Sequence, residues 1–254
     1  MNRWKFFDIT HRDHLICNPL SSEKLDEIVT LLDLPRGARV LDIACGKAEL
    51  LVRLVERYGA RGDGVDLSPY AVRDARTRAE ARVPGSALVF HEMDGRDFQA
   101  GPGSYDLAIC LGASWVFDGH RGTLEALRRV VHPGGLVLVG EPYWRRTPDP
   151  EDLRTADYDA AAFATHAGNV AIGLELGLTC LYSIVSSEDD WDRYQGLQWR
   201  AAERYATAHP DDPDVAELLQ RQRAGRDAYL RWERDTLGWA VYLFRSDGHD
   251  LTPS

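Results

Sequence analysis

The sequence predicts a doubly wound α/β fold, in which a mostly parallel seven-stranded sheet carries helices on both faces and a helical insertion follows the core. Three observations predict it. Short apolar runs alternate with segments of helical periodicity through residues 21–145. Polar residues suited to ligand binding follow the ends of successive predicted strands. After residue 145 the alternation gives way to longer helical segments. Strands that alternate with helices in this way form a parallel sheet.

The core elements follow from local patterns. A helix begins at Ser21 or Ser22, whose hydroxyl can cap it, and Pro35 and Gly37 end it. Each predicted strand is a short apolar run, and Pro69 suits the first turn of the helix that it begins. The predicted strands span 39–44, 62–66, 87–92, 105–111 and 135–141, and the further helices span 47–58, 69–82 and 122–131.

The second part of the chain is less regular. Residues 153–175 are predicted to be mostly helical, and residues 178–187 form a strand. We expect one domain over residues 1–254. Its predicted parts are an irregular N-terminal lid segment (1–20), a cofactor-binding core (21–145), a C-terminal part of the core (146–187), a helical insertion interrupted at 209–214 (188–235) and a last strand (238–245).

Composition and charge narrow the function. The 254 residues carry a net charge of −10, and their basic residues are scattered along predicted helices. A protein that binds nucleic acid usually has a basic patch, so a nucleic-acid partner is disfavoured. The chain has no signal-peptide pattern at its N-terminus and no apolar run of membrane-spanning length. The four cysteines form no CxxC pair, so we expect no metal site and a reducing, cytoplasmic setting.

Ligand-compatible residues follow four strand ends. The first strand ends in Asp42 and runs through Gly46 into a helix, and such a turn brings backbone N–H groups close to a ligand. Asp66 ends the second strand and can accept both hydroxyl protons of a ribose. Asp94, after the third strand, can accept from an adenine amino group, and Leu111-Gly112 closes the fourth strand. In open α/β sheets, ligands bind at these carboxyl ends.

The glycine pattern favours S-adenosylmethionine (SAM) over a dinucleotide. A dinucleotide fingerprint requires glycine at positions 44, 46 and 49, and the sequence has Ala44, Gly46 and Glu49. Glu49 would place negative charge near a pyrophosphate. SAM has no phosphate, and a carboxylate near its ammonium group is favourable.

The ordered motifs VLDIACGKAEL, GVDLS, MDGRDF, YDLAICLGAS and HPGGLVLVGEPYW resemble those of class I SAM-dependent methyltransferases. The resemblance is close over roughly residues 20–145 and implies a Rossmann-like methyltransferase fold. It departs from the family at the glycine-rich loop, where Ala44 and Ala48 occupy positions that are usually glycine. Because alanine is the smallest replacement, we expect cofactor binding to survive.

The resemblance also implies residue roles. Asp42 would contact the amino-acid part of SAM, Asp66 the ribose and Asp94 the adenine, and the product would be S-adenosylhomocysteine (SAH). The predicted cofactor-binding set is Asp42, Ala44, Cys45, Gly46, Asp66, Leu67, Asp94, Gly95, Leu111 and Gly112. By the same resemblance, residues 1–20 and 188–235 would form a lid over the acceptor site.

Acceptor-side residues are predicted from their places in the pattern. Glu141 ends the fifth strand and is a candidate general base, as is His14 in the N-terminal segment. Trp115, His120, Tyr143, Trp191 and Trp199 are predicted to contact the substrate. The fourth strand lacks the Asn/Asp-Pro-Pro-Tyr/Phe run of enzymes that methylate the amino groups of DNA bases or glutamine. Together with the acidic charge, this favours a small-molecule acceptor, whose methylated atom and the oligomeric state stay open.

Two alternatives remain at this point. The chain could be an NAD(P)-dependent oxidoreductase, which Glu49 disfavours, or a SAM-binding protein without catalytic activity. The first alternative predicts binding of NAD(P) without a response to SAM. The second predicts SAM binding without turnover.

Overall fold

The computed structural model describes residues 1–156 and 159–247, and its seven strands form one sheet. The strands are β1 (Arg39–Ile43), β2 (Arg61–Asp66), β3 (Leu88–Glu92), β4 (Tyr105–Leu111), β5 (Val131–Trp144), β6 (Leu178–Val185) and β7 (Leu237–Ser246). They lie in the order β3-β2-β1-β4-β5-β7-β6. The first five pair in parallel, and β7 is antiparallel to both β5 and β6. The predicted doubly wound, mostly parallel fold is confirmed.

Helices cover both faces of the sheet. They are α1 (Arg3–Thr10), α2 (Ser22–Leu31), α3 (Glu49–Tyr58), α4 (Pro69–Arg82), α5 (His120–Val130), α6 (Pro150–Ala156), α7 (His166–Glu175), α8 (Glu188–Ala208) and α9 (Val215–Ala228). A π-helical turn (Tyr229–Glu233) and a short α-helical turn (Arg234–Thr236) continue α9 into β7. In the described part of the chain, no helix is long and apolar enough to cross a membrane.

The sheet separates two apolar clusters. One cluster packs α2, α3 and α4 against the sheet, and the other packs α5 against the opposite face. Strand β7 contributes to both because successive side chains point to opposite faces. Trp239 and Val241 belong to the first cluster, whereas Ala240 and Tyr242 belong to the second.

Some predicted elements were wrong in extent. The N-terminal segment is not wholly irregular, because it contains α1, whose first turn is capped by the Asn2 side chain. Strand β5 is longer than predicted, because it spans Val131–Trp144 and not only residues 135–141. Its register shifts near its start, since Tyr105 pairs with Val131 and Leu107 with Leu136. The described part of the segment 153–175 is mostly helical, as predicted, and its helical residues belong to α6, a 3₁₀ turn (Ala160–Ala162) and α7.

Candidate functional site

A cavity of about 400 Å³ lies at the carboxyl ends of β1, β2 and β4, and residues of α1, α8 and β7 also line it. This size falls within the usual range of small-molecule sites. All ten residues of the predicted cofactor-binding set line it: Asp42, Ala44, Cys45, Gly46, Asp66, Leu67, Asp94, Gly95, Leu111 and Gly112. The structure therefore brings the four predicted strand ends together at one place. Their individual contacts with a cofactor stay predictions.

The loop between β1 and α3 has a left-handed backbone at three alternate positions. The φ angles are +57° at Ala44, +54° at Gly46 and +58° at Ala48. This conformation costs an alanine about 1–2 kcal/mol and a glycine almost nothing. The two alanines that depart from the family pattern therefore keep the loop conformation at the expense of backbone strain.

Asp66 holds this loop against the end of β2. Its Oδ2 accepts a hydrogen bond from the Gly46 backbone N–H at 2.9 Å, and its Oδ1 accepts one from the Ser68 N–H at 2.8 Å. Burial raises the pKa of Asp66 above its usual value, and the two backbone donors oppose that rise. Each carboxylate oxygen has further lone-pair capacity, so the group can still accept from a ligand hydroxyl.

Asp42 is a buried carboxylate in the cavity wall. Its side chain is 5% exposed and forms no hydrogen bond with any other described residue. Burial raises the pKa of Asp42 well above its usual value, and the neighbouring Asp66 raises it further. An unpaired carboxylate in this position is stabilised when a cation binds in the cavity.

The carboxylates of Asp94 and Glu49 both have basic partners in the structure, which changes the roles predicted for them. Arg96 binds the carboxylate of Asp94 through its backbone N–H and its guanidinium, which lowers the pKa of Asp94. Asp94 lines the cavity, but it is partly engaged. The charge of Glu49 is neutralised because its buried carboxylate pairs with Arg53 at 2.8 Å and Arg82 at 2.7 Å. The argument that Glu49 would repel a pyrophosphate was therefore wrong.

The N-terminal segment and the insertion form much of the remaining wall. Trp4 and Phe7 come from α1, Cys17 and Asn18 from the following segment, and Tyr194 from α8. These segments are tied to each other. The Tyr194 hydroxyl lies 2.9 Å from Nε2 of His11, whose ring stacks on Phe7. The later part of the insertion, α9, packs outside α8 and does not reach the cavity.

Two glycines make room for an indole at the cavity floor. A Cβ at Gly140 would lie 2.4 Å from the Trp239 ring, so only glycine lets the ring cross β5 at that point. A Cβ at Gly112, where φ is +73°, would lie 2.5 Å from Nδ2 of Asn18 and 3.7 Å from Nε1 of Trp239. The Asn18 amide donates to the Leu111 carbonyl at 3.2 Å. Asn18 and the indole N–H of Trp239 therefore meet above Gly112.

The two predicted general bases do not line the cavity. Glu141 is 3% exposed and accepts from the Ser114 hydroxyl at 3.0 Å on the face of β5 opposite to Gly140 and Pro142. Strand alternation explains this, since the neighbours of Glu141 point the other way. Burial raises the pKa of Glu141 to about 7. His14 donates from Nε2 to the Tyr194 carbonyl at 2.9 Å and fastens the N-terminal segment to α8.

Two of the five predicted substrate contacts line the cavity, and three do not. Trp115 and Trp191 line the cavity. Tyr143 faces His166, and His120 is buried beside the Asn169 carbonyl, so neither lines the cavity. Trp199 packs against Tyr229 within the core and was also wrongly placed. Their positions follow from strand and helix faces that the spacing did not reveal.

Several residues that line the cavity were not predicted as site residues, and four of them matter for the acceptor side: Cys17, Asn18, Tyr194 and Trp239. Three of them lie in segments that were predicted to cover the site, but no spacing singles them out. Trp239 lies inside a predicted strand, where an aromatic side chain indicates core packing. Trp239 pairs with Pro142, and its ring extends over Gly140 two residues away, so its place at the cavity depends on the pairing of β5 with β7.

Comparisons with known proteins agree with this geometry. Residues 40–135 match the family described as "Methyltransferase domain". The uncharacterized protein YjhP of Escherichia coli is 31% identical over 94% of this chain and 96% of its own length. A SAM-dependent methyltransferase of Geobacter sulfurreducens, solved in complex with SAH, is 31% identical and superposes with a TM-score of 0.88 over 94% of this chain and 97% of that one. Trans-aconitate 2-methyltransferase of Paracidovorax citrulli is 28% identical over 89% of this chain and 86% of its own.

Proposed function

The chain belongs to the class I SAM-dependent methyltransferases, and from that premise we propose that it transfers the methyl group of SAM to a small molecule bound in the same cavity. Its cofactor is SAM, which supplies a methyl group on a positively charged sulfur and leaves as SAH. One observation carries the small-molecule proposal. The loops of the cofactor-binding set and the aromatic residues of α1, α8 and β7 line a single cavity of about 400 Å³. Because the cofactor is SAM, the NAD(P)-dependent alternative no longer applies.

The residues present fit this cofactor. We propose that Asp66 accepts hydrogen bonds from the ribose, because its oxygens face the loop that follows β1 and retain free lone pairs. We propose that Asp42, with no partner among the described residues, attracts the positive charge of SAM. Leu67, Asp94 and Gly95 would surround the adenine end, and Leu111 and Gly112 would separate the cofactor from the acceptor.

The remaining lining residues would position the acceptor. Methyl transfer requires a nucleophile in line with the methyl carbon and the sulfur, and orientation of two bound reactants supplies up to about 7–11 kcal/mol of the barrier. We propose that residues 1–20 and the first half of the insertion act as the lid. Lys5 of α1 pairs with Asp212 and Asp214 after α8, at 2.8 and 2.7 Å, which couples the two lid segments. The whole chain would then act as one domain, in a reducing cytoplasmic setting.

Titration calorimetry tests the cofactor part of this proposal. The purified protein is titrated separately with SAM, SAH and NAD. We expect binding of SAM and SAH at micromolar concentration and no heat from NAD. Binding of NAD alone would overturn the assignment.

Turnover tests the acceptor part. The protein is incubated with labelled SAM and fractions of a small-molecule extract, and transfer of label to a low-mass product is measured. Incorporation that depends on Asp66 supports the proposal, with Glu80→Gln on the exposed face of α4 as the control variant. Tight SAM binding with label transferred to no small molecule would favour a SAM-binding protein without catalytic activity.

A further inference from the structure

The charges that line the cavity bear on whether the acceptor is anionic or uncharged. We define the acceptor wall as Phe7, Cys17, Asn18, Trp191, Tyr194 and Trp239, which line the cavity outside the cofactor-binding set. None of these side chains carries a positive charge. In the described part of the chain, the two basic residues that line the cavity are Arg3 and Lys47.

Both basic residues have partners outside the acceptor wall, although the charge of Lys47 still acts on Cys17. Lys47 Nζ donates to the His11 carbonyl at 2.8 Å and lies 3.8 Å from Asp74. The exposed Arg3 guanidinium lies over the rings of Trp4 and Trp115, at 4.4 and 5.2 Å from their centroids. By contrast, the carboxylates of Asp42, Asp66 and Asp94 line the same cavity. An anionic acceptor would meet this negative charge, and no basic side chain of the acceptor wall would pair with it.

The acceptor wall also offers no proton acceptor. Within residues 1–156 and 159–247, no histidine lines the cavity, and Glu141 lies on the far face of β5. Because Nδ1 of His11 donates to the Phe7 carbonyl, Nε2 accepts a hydrogen bond from the Tyr194 hydroxyl. Burial raises the pKa of this tyrosine. Burial also raises the pKa of the Cys17 thiol to about 11. A neutral alcohol would therefore lack a base to deprotonate it.

What the acceptor wall does provide is aromatic surface and indole N–H groups. Aromatic rings attract a cation through their quadrupoles, most strongly when water is excluded. Trp239 is 2% exposed, lines the cavity, and its N–H makes no hydrogen bond with another described residue. This N–H is open to the cavity, so it can donate to a polar atom of the ligand. The indole N–H of Trp191, which also lines the cavity, is fully buried and has no partner in the described structure.

We propose that the acceptor is an uncharged nitrogen base that is N-methylated, and that Trp239 binds a second polar atom of the same molecule. The inference rests on the proposed function and names its substrate class. The nitrogen lone pair forms the new bond to the methyl carbon, and the electron pair of the carbon–sulfur bond returns to sulfur. The positive charge passes to nitrogen, so no proton is removed in the step. The aromatic acceptor wall stabilises this charge as it develops.

Three matched probes test the charge and the nucleophile on the wild-type protein. Quinoline-6-carboxamide is an uncharged nitrogen base, quinoline-6-carboxylate is its anionic counterpart, and naphthalene-2-carboxamide lacks the ring nitrogen. Binding to the SAH-loaded protein is followed by the NMR signals of the seven tryptophan indole N–H groups. We expect both amides to bind and to shift the Trp239 signal, the carboxylate to bind at least about tenfold more weakly, and only the quinoline amide to yield an N-methyl product with SAM.

Matched tryptophan variants test the indole N–H. Trp239→Phe keeps an aromatic ring but removes the indole N–H donor. The NMR signal that disappears in this variant is the one that belongs to Trp239. The variant should weaken binding of both amides about three- to tenfold while SAH affinity stays the same. The control is Trp144→Phe, since Trp144 donates to the Ala160 carbonyl outside the cavity. This variant should leave amide binding unchanged.

Four results would overturn the inference: equal or tighter binding of the carboxylate, binding of no probe to the SAH-loaded protein, no N-methyl product from the quinoline amide with SAM, or unchanged amide affinity in Trp239→Phe. Failure of SAH itself to bind would instead refute the proposed function. The two failures are therefore distinguishable.

Discussion

Replacing Glu141 with glutamine should stabilise the free protein at neutral and alkaline pH. Glu141 is 3% exposed, and Ser114 is its hydrogen-bond partner, with no basic group beside it. Its Oε2 has no partner in the described structure. Glutamine keeps the shape of the neutral acid and the hydrogen bond with Ser114, so the variant removes the ionisation and little else.

The magnitude follows from the pKa. Burial raises the pKa of Glu141 from 4.5 to about 7. At about 1.4 kcal/mol per pKa unit, this corresponds to about 3 kcal/mol. Because the folded-state pKa is the higher one, the wild-type protein has the full stability of the neutral acid below pH 4.5. It loses that stability as the pH rises through about 7. The variant should match wild type at pH 4.5 and exceed it by about 3 kcal/mol at about pH 8.

Urea unfolding at both pH values, followed by circular dichroism, measures this difference. At about pH 8, the Tm of Glu141→Gln should also exceed that of wild type by roughly 6–12 °C. Glu80→Gln, on the exposed face of α4, is the control and should change stability by less than about 0.5 kcal/mol at either pH. Equal stability of Glu141→Gln and wild type at pH 8, or a difference that does not vary with pH, would refute the reasoning.

Three further predictions concern the cofactor loops. Asp66→Ala should weaken SAH binding by about 1–3 kcal/mol in calorimetry, because ribose hydroxyls would lose their acceptor, and an unchanged affinity would remove Asp66 from the site. SAM affinity should rise with pH as Asp42, whose pKa is raised, becomes ionised and attracts the cofactor's positive charge. Asp42→Asn should bind more weakly and show a flatter profile, and a wild type without pH dependence would contradict this. Ala44→Gly should stabilise the protein by about 0.5–1 kcal/mol in thermal unfolding, since relief of left-handed strain exceeds the added entropy of the unfolded chain. Ala48→Gly should be near neutral because it also loses a buried methyl worth about 0.8 kcal/mol, and a stabilisation equal to that of Ala44→Gly would count against this account.

The cofactor half of the cavity could be predicted because its information is local. Each residue of that set lies at a strand end or directly after one, and parallel strands place their carboxyl ends at the same edge of a sheet. Asp42, Asp66 and Gly112 could therefore be brought together before any coordinates were known. The exact ends of elements were less accurate, as α1 and the long β5 show, because caps and strand pairing decide them.

The acceptor half could not be predicted in the same way. Glu141 and Tyr143 are close in sequence to the cavity, yet both point to the opposite face of β5, whereas Pro142 between them lines the cavity. Choosing between those faces requires the pairing of β5 with β7. Among the predicted aromatic contacts, Trp191 reaches the cavity and Trp199 does not. Both pack against Tyr229 in the same apolar cluster, but Trp199 lies about two helical turns further along α8.

The sequence by itself determined the fold class, the cofactor and the edge of the sheet where SAM binds, since these depend on periodicity and on residues that follow single strands. Only the tertiary structure decided which groups surround the acceptor. Asn18 and Trp239 come from opposite ends of the chain and meet above Gly112. Their meeting depends on β7 lying antiparallel between β5 and β6. It also depends on Gly140, whose lack of a side chain lets the Trp239 ring lie over β5. Contacts of this kind arise from the packing of distant segments, which no local pattern encodes.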